Sequence, residues 1–305
     1  MELEEQPEEQ PGQEPVKTRP ALWRWILGTV IIFVGWLLIG TVLTAVTVGL
    51  FGLDLAAIAG TDDASRAIVN SYEPWQAATS ILISFLPLLI LPIALHQVLL
   101  RQDLKSLFTR SSRSFSREVL QGAVVMAALL IVAGLPDLLL NGDDYQWSFD
   151  SSRFIPYLLV AATLIPMQTT AEEVFYRGWI QQRLENGRRS IWFVSFASAA
   201  LFALPHLGNP EVNGELFLAI LGYGASGFMF AWVTMRDKSI GVAVGAHGAN
   251  NILAGLLISS ADSALPAASI WTTPSVSWGP AALFSILMIP AFIWLTGKWN
   301  AKVAE

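Results

Sequence analysis

Apolar residues fall into eight runs along the chain, separated by shorter polar or glycine-rich breaks. The runs cover roughly 25–50, 75–100, 118–140, 154–184, 190–206, 215–235, 239–258 and 278–298. Most approach the ~20 apolar residues that carry a helix across a ~30 Å hydrocarbon core. Backbone groups inside that core must bond internally, so such runs imply helices. The pattern predicts an all-α fold, a polytopic membrane bundle of about eight transmembrane helices. The fifth and seventh runs are short, which fits helices that are tilted or buried inside the bundle. Residues 1–20 are different: rich in Glu, Gln and Pro, they read as a disordered acidic tail. A full-length apolar run follows this polar stretch, so it reads as a retained helix and not as a cleavable leader. The expected organisation is a cytoplasmic tail over 1–20 and three membrane helices over 21–150. A polar-bearing core follows over 151–260, then an outer loop, a last helix and a short cytoplasmic tail over 261–305. The absence of a clear internal repeat speaks against a transporter built from inverted repeats.

Composition sharpens the membrane reading. The chain is 53% hydrophobic and 14% charged, against about 25% charged in a soluble domain. Its net charge of −6 gathers largely in Glu2, Glu4, Glu5, Glu8, Glu9 and Glu14, and points to no nucleic-acid partner. There is no cysteine, which excludes cysteine-protease chemistry and Cys-ligated zinc. With the N-terminus inside, sixteen of the eighteen Lys and Arg residues fall on the cytoplasmic flanks, leaving Arg66 and Arg153 outside. The positive-inside rule therefore predicts cytoplasmic N- and C-termini. The loop 101–117 is basic and serine-rich; it reads first as a topology determinant, with anionic lipid head groups as an alternative contact.

A few polar groups sit where burial is expensive. An ionisable side chain in mid-membrane costs a few kcal/mol on insertion scales and marks function by default. The fourth run contains Gln168-Thr169-Thr170-Ala171-Glu172-Glu173-Val174-Phe175-Tyr176-Arg177. Glu172 and Glu173 lie ~100° apart around a helix. Arg177, one turn beyond Glu173, is placed to pair with it, which leaves Glu172 pointing elsewhere. The competing explanation is a buried ion-pair cluster that only holds the bundle. The fifth run ends with Phe202 and His206 four apart; the seventh holds His247 and Asn251 four apart, each pair on one helical face. His96 reads as an interhelical hydrogen bonder.

These three blocks resemble the CAAX prenyl endopeptidase and bacteriocin-processing (CPBP, or Abi) intramembrane proteases. Their pattern is EExxxR, then FxxxH, then HxxxN or HxxxD, on three helices of an eight-helix bundle. Here it is matched by Glu172–Arg177, Phe202–His206 and His247–Asn251, in order and within roughly 154–258. The resemblance implies peptide-bond hydrolysis near the membrane. Glu172 would activate water, His206 would help hold it, His247 and Asn251 would stabilise the oxyanion, and Arg177 would orient the carboxylates through Glu173. A desolvated carboxylate is a better base near neutral pH, and donors held in a dry site stabilise an oxyanion strongly.

The resemblance leaves two mechanisms open. One is metal-free; in the other Glu172, His206 and His247 would ligate zinc, with Glu173 as base. It also leaves a different class of function open, a non-catalytic membrane protein of the same fold acting in bacteriocin immunity or as a scaffold. The expected partners are membrane lipids and a peptide or lipidated protein substrate. The expected location is a bacterial inner (plasma) membrane. A prenylated substrate would need a C-terminal cysteine motif in the partner.

Overall fold

The computed structural model describes residues 20–52, 72–185 and 189–304. The acidic tail, the greater part of the first outer loop with Arg66, and Arg188 lie outside the described residues.

The first helix, α1 (Leu22–Leu50), rises about 43 Å at ~1.5 Å per residue. Next comes α2 (Pro74–Val98), which opens on a capping box: the Glu73 N–H donates to Gln76 Oε1 at 3.2 Å. A 3₁₀ turn over Ile83–Phe85 interrupts α2 just before Pro87. Proline has no N–H to return to the carbonyl four residues back, so the helix tightens there. A short helix, α3 (Leu104–Phe108), lies within the basic loop, and α4 spans Phe115–Leu140. The longest helix is α5 (Ser151–Leu184), capped by Asp150, whose side chain accepts from the Ser152 N–H at 2.9 Å. Its stretch Val174–Gln181 is a π-helix. Ser190 caps α6 (Ile191–His206). The last three helices are α7 (Leu216–Asp237), α8 (Gly241–Leu256) and α9 (Trp278–Ala304).

The protein is a polytopic helical bundle. Among the described residues six helices, α1, α2, α4, α5, α7 and α9, are long and apolar enough to cross a membrane. The fifth and seventh apolar runs form α6 and α8, helices of 16 residues each, about 24 Å long. They fall short of a full crossing. Among the described residues the bundle therefore has six membrane-length helices, with α6 and α8 shorter, so eight full spans are not shown.

Hydropathy also misses a small sheet. Strands β1 (Gln146–Trp147), β2 (Ile258–Ser260) and β3 (Trp271–Thr273) order as β1-β3-β2, with β1 antiparallel and β2 parallel to β3. Two- and three-residue strands carry no periodic signal of their own. The sheet ties the segment before α5 to the segment after α8, and so fixes one end of both site-bearing helices. Towards the other end of α8, the Ile240 N–H donates to Phe108 O at 2.9 Å and the Arg110 N–H to Lys238 O at 2.8 Å. These bonds tie the loop around α3 to the α7–α8 turn.

Two apolar clusters flank the middle of the bundle. One gathers Val174, Phe175, Tyr176 and Trp179 of α5 with Leu88, Leu107, Phe202 and Val244. The other joins Met126, Met229, Phe230, Val242, Ala246 and Phe292. The first half of α8, Gly241–Gly248, is buried, and half of the helix is Gly and Ala. At Gly245 a Cβ would fall on the Val119 carbonyl, and at Gly122 on the Val242 carbonyl. Backbone meets backbone where α4 and α8 cross, as small residues permit in membranes. Gly245→Val is expected to force these helices apart and destabilise the protein by at least about 1–3 kcal/mol. Thermal melting in detergent checks this, and an unchanged midpoint would contradict the packing argument.

Candidate active site

Four helices deliver the polar groups. From α5 come Gln168, Glu172, Glu173 and Arg177; from α6, Phe202 and His206; from α7, Tyr223, Gly227 and Phe230; from α8, His247 and Asn251. The approach of α6 to α7 is close: a Cβ on Gly227 would lie 3.1 Å from both Ala199 Cα and the Phe202 ring.

Glu173 and Arg177 are both fully buried. Glu173 Oε1 accepts from Arg177 Nη1 at 3.0 Å and faces His247 Nδ1 at 2.9 Å. A carboxylate only accepts, so Nδ1 carries the imidazole proton. Arg177 Nη2 donates to Gly227 O at 3.1 Å. Its guanidinium carbon lies 4.5 Å from the Phe202 ring centroid and 5.5 Å from that of Phe230. A buried charge is tolerable when paired, hydrogen-bonded and packed on aromatic faces. Glu173 and Arg177 meet all three conditions, and the pair therefore acts on the architecture. It locks α5 to α7 and sets the ring of His247.

Glu172 is held differently. It is 6% exposed, and its Oε2 is buried without a hydrogen bond among the described residues. That oxygen lies 3.5 Å from His247 Nε2, at the outer limit of a hydrogen bond. Glu173 is thus held twice through Oε1 and Glu172 is not so held, although the Oε2 atoms of both carboxylates are buried without a hydrogen bond among the described residues.

The two histidines share one arrangement. His206 Nδ1 lies 2.7 Å from Phe202 O, the carbonyl one turn earlier, so the proton sits on Nδ1 and Nε2 keeps its lone pair. His247 is fixed in the same tautomer by Glu173. The Phe202 ring lies between them, with centroids 4.6 Å from His206 and 5.7 Å from His247. Tyr223 covers His206 at 4.7 Å, and its hydroxyl donates to Glu211 Oε1 at 2.7 Å. Asn251 Nδ2 donates towards Gln168 Oε1 at 3.4 Å and lies 3.5 Å from His247 Nε2.

The structure thus brings Glu172, Glu173, Arg177, His247 and Asn251 into direct contact and joins His206 to them through Phe202. His96 stands apart, 3.0 Å from Ser106 Oγ, and ties α2 to α3. Two residues of the site are not marked out by the sequence motifs. Gln168 sits one turn before Glu172 on the same face of α5, a position that helical spacing could have flagged. Tyr223 carries no local signal, because it reaches the site only through the packing of α7 on α6.

A metal reading requires Glu172, His206 and His247 to converge. The donor types suit zinc, with two imidazole lone pairs and an unpartnered carboxylate oxygen. Among the described residues, however, no three His, Asp or Glu side chains are gathered closely enough to hold a metal ion. The arrangement does not fit a resident metal.

Residues 151–253 match the family model described as type II CAAX prenyl endopeptidase Rce1-like. This segment, about a third of the chain, is similar to the Rce1-like family. It starts with α5 and ends within α8, so it contains all eight polar site residues. The family supports a CAAX-type intramembrane protease fold, and with the six apolar helices it makes this an integral membrane protein. The chain is also similar to a Bacillus subtilis (strain 168) protein described as the uncharacterized protein YyaK, at 29% identity over 212 residues, 67% of this chain and 70% of that one. No solved structure matches the chain. The YyaK alignment reaches well beyond the Rce1-like segment, since 212 residues are about twice its length.

Proposed function

We propose that the protein is an intramembrane endopeptidase that hydrolyses a peptide bond of a membrane-associated peptide or protein through water activated by Glu172. The observation that carries this reading is the asymmetry of the two carboxylates. Glu173 is committed through Oε1 to Arg177 and His247, whereas Glu172 Oε2 meets only His247 Nε2, at 3.5 Å; each carboxylate keeps one buried oxygen without a hydrogen bond, Oε2 in both. A buried carboxylate oxygen without a partner is costly, and such cost is characteristic of groups kept ready for chemistry.

In the proposed step, Glu172 takes a proton from water as the water oxygen attacks the scissile carbonyl carbon. The carbonyl π electrons move onto oxygen, and the Asn251 amide N–H donates to the resulting oxyanion, while the Nδ1–H of His247 stays with Glu173. Collapse breaks the C–N bond, and the proton held by Glu172 passes to the departing amine. His206 Nε2, with its lone pair free, accepts a hydrogen bond from the water and orients it. The description CAAX prenyl endopeptidase makes a C-terminal, lipid-modified peptide the first substrate class to test. The distribution of Lys and Arg favours cytoplasmic N- and C-termini.

Purified protein in nanodiscs, incubated with prenylated and unmodified C-terminal peptides in heavy-oxygen water, tests the reading. Hydrolysis leaves one heavy oxygen in each new carboxyl terminus, read by mass spectrometry. Finding no such product with any peptide class would count against the proposal. Because the three donors are not gathered, cleavage is expected to persist at an unchanged rate after exhaustive dialysis against a zinc chelator. A loss of rate restored by added zinc would overturn the metal-free step.

A further inference from the structure

The amide of Asn251 has a definite orientation, and neighbouring side chains set it. Its Oδ1 accepts from Asn250 Nδ2 at 3.1 Å. Its Nδ2 faces Gln168 Oε1 at 3.4 Å and His247 Nε2 at 3.5 Å. An asparagine amide can turn over by half a rotation with little change of shape, exchanging donor for acceptor. Turned over, Asn251 would present a carbonyl oxygen where an oxyanion develops, and two negative oxygens would then oppose each other.

Gln168 is placed to prevent that. It is 7% exposed, stands one turn before Glu172 on α5, and approaches Asn251 across the α5–α8 contact. Its Oε1 offers Asn251 an acceptor, which only the NH₂ end can use. Asn250 lies one residue before Asn251 on α8 and fixes the other end of the amide.

We infer that Gln168 is a positioning residue for the hydrolysis: through its side-chain carbonyl it holds the Asn251 amide with its N–H groups towards the reacting oxygen. This inference rests on the endopeptidase reading and refines the same site. It implies that Gln168 contributes only while Asn251 is present, and only to the transition state.

A double-mutant cycle tests this with the peptide that the wild type cleaves. Gln168→Met keeps the length of the side chain and removes the acceptor. Alone, it is expected to lower kcat about tenfold at unchanged KM, as a transition-state interaction does. In an Asn251→Ala background the same change is expected to cost less than about twofold, because coupled residues are non-additive. Thermal melting confirms that each variant is folded, and Gln168→Ala takes the place of the methionine variant if that variant melts early. An equal loss in both backgrounds, or no loss in the wild-type background, would overturn the inference. If the wild type cleaves and Glu172→Gln does not, the endopeptidase reading stands whichever way the cycle falls. If the wild type cleaves nothing, that reading falls and this one with it.

Discussion

Replacing Glu172 by Gln is expected to abolish detectable cleavage while leaving the fold unchanged. The side chains have the same shape, and Glu172 Oε2 gives up no hydrogen bond in the exchange. What is lost is the ability to take a proton from water. A positioned general base contributes about 10²–10⁴-fold, and the other groups near the water serve elsewhere in the proposed step, His206 Nε2 as the acceptor that orients it and Glu173 as the partner of Arg177 and His247. Glu173 is the only neighbouring carboxylate in contact among the described residues, and its Oε1 is already shared by Arg177 and His247. The matching measurements are product formation by mass spectrometry and a melting curve on the same sample. A variant that melts like the wild type and still cleaves at the wild-type rate would remove Glu172 from the mechanism.

Arg177→Met is expected to act in the opposite manner, through the fold first. The guanidinium is fully buried and neutralises a carboxylate that is also fully buried. Removing one partner leaves an uncompensated charge inside the bundle, which costs about 3–5 kcal/mol. It also frees the Gly227 carbonyl contact, and it loosens His247, which relies on the same Glu173 oxygen. Loss of activity should therefore be accompanied by a much lower melting midpoint or loss of monodisperse protein. The double variant with Glu173→Gln, which takes away the orphaned charge, should regain part of that stability. A fully stable single variant would show that the ion pair contributes little to holding α5 in place.

The same ion pair shows what the sequence makes legible. Glu173 and Arg177 are four apart on one helix, so their meeting is a local matter that helical geometry decides. The same holds for Phe202 with His206 and for His247 with Asn251. How three such pairs meet is not local. That Phe202 lies between the two imidazoles, or that His247 turns its Nδ1 to Glu173, depends on crossings such as Gly122 with Gly245, which no window of sequence encodes. The apolar runs locate the helices to within a few residues: the fourth run, read as 154–184, is the helix Ser151–Leu184. They do not separate membrane-length helices from the two of 16 residues, because hydropathy measures apolarity and not whether lipid or protein surrounds it. The β1-β3-β2 cap is invisible for a related reason, since its strands are too short to alternate.

The contacts between α5 and α7 have a consequence of their own. Arg177 donates to Gly227 O, and one turn further Gln181 Nε2 donates to Ala231 O at 2.9 Å. Both acceptors are main-chain atoms, and every residue type carries the same carbonyl. In its hydrogen bonds the seam is consequently one-sided: α5 supplies the side chains and α7 the main-chain oxygens, with the Phe230 ring beside Arg177 as the α7 side chain that takes part. Residues on α7 could be exchanged for others of similar bulk without touching those bonds, whereas a single change at position 177 or 181 removes one outright. Two helices in contact over the same length are thus under unequal constraint, and a comparison of many such chains should find variability on one side of the seam facing fixity on the other.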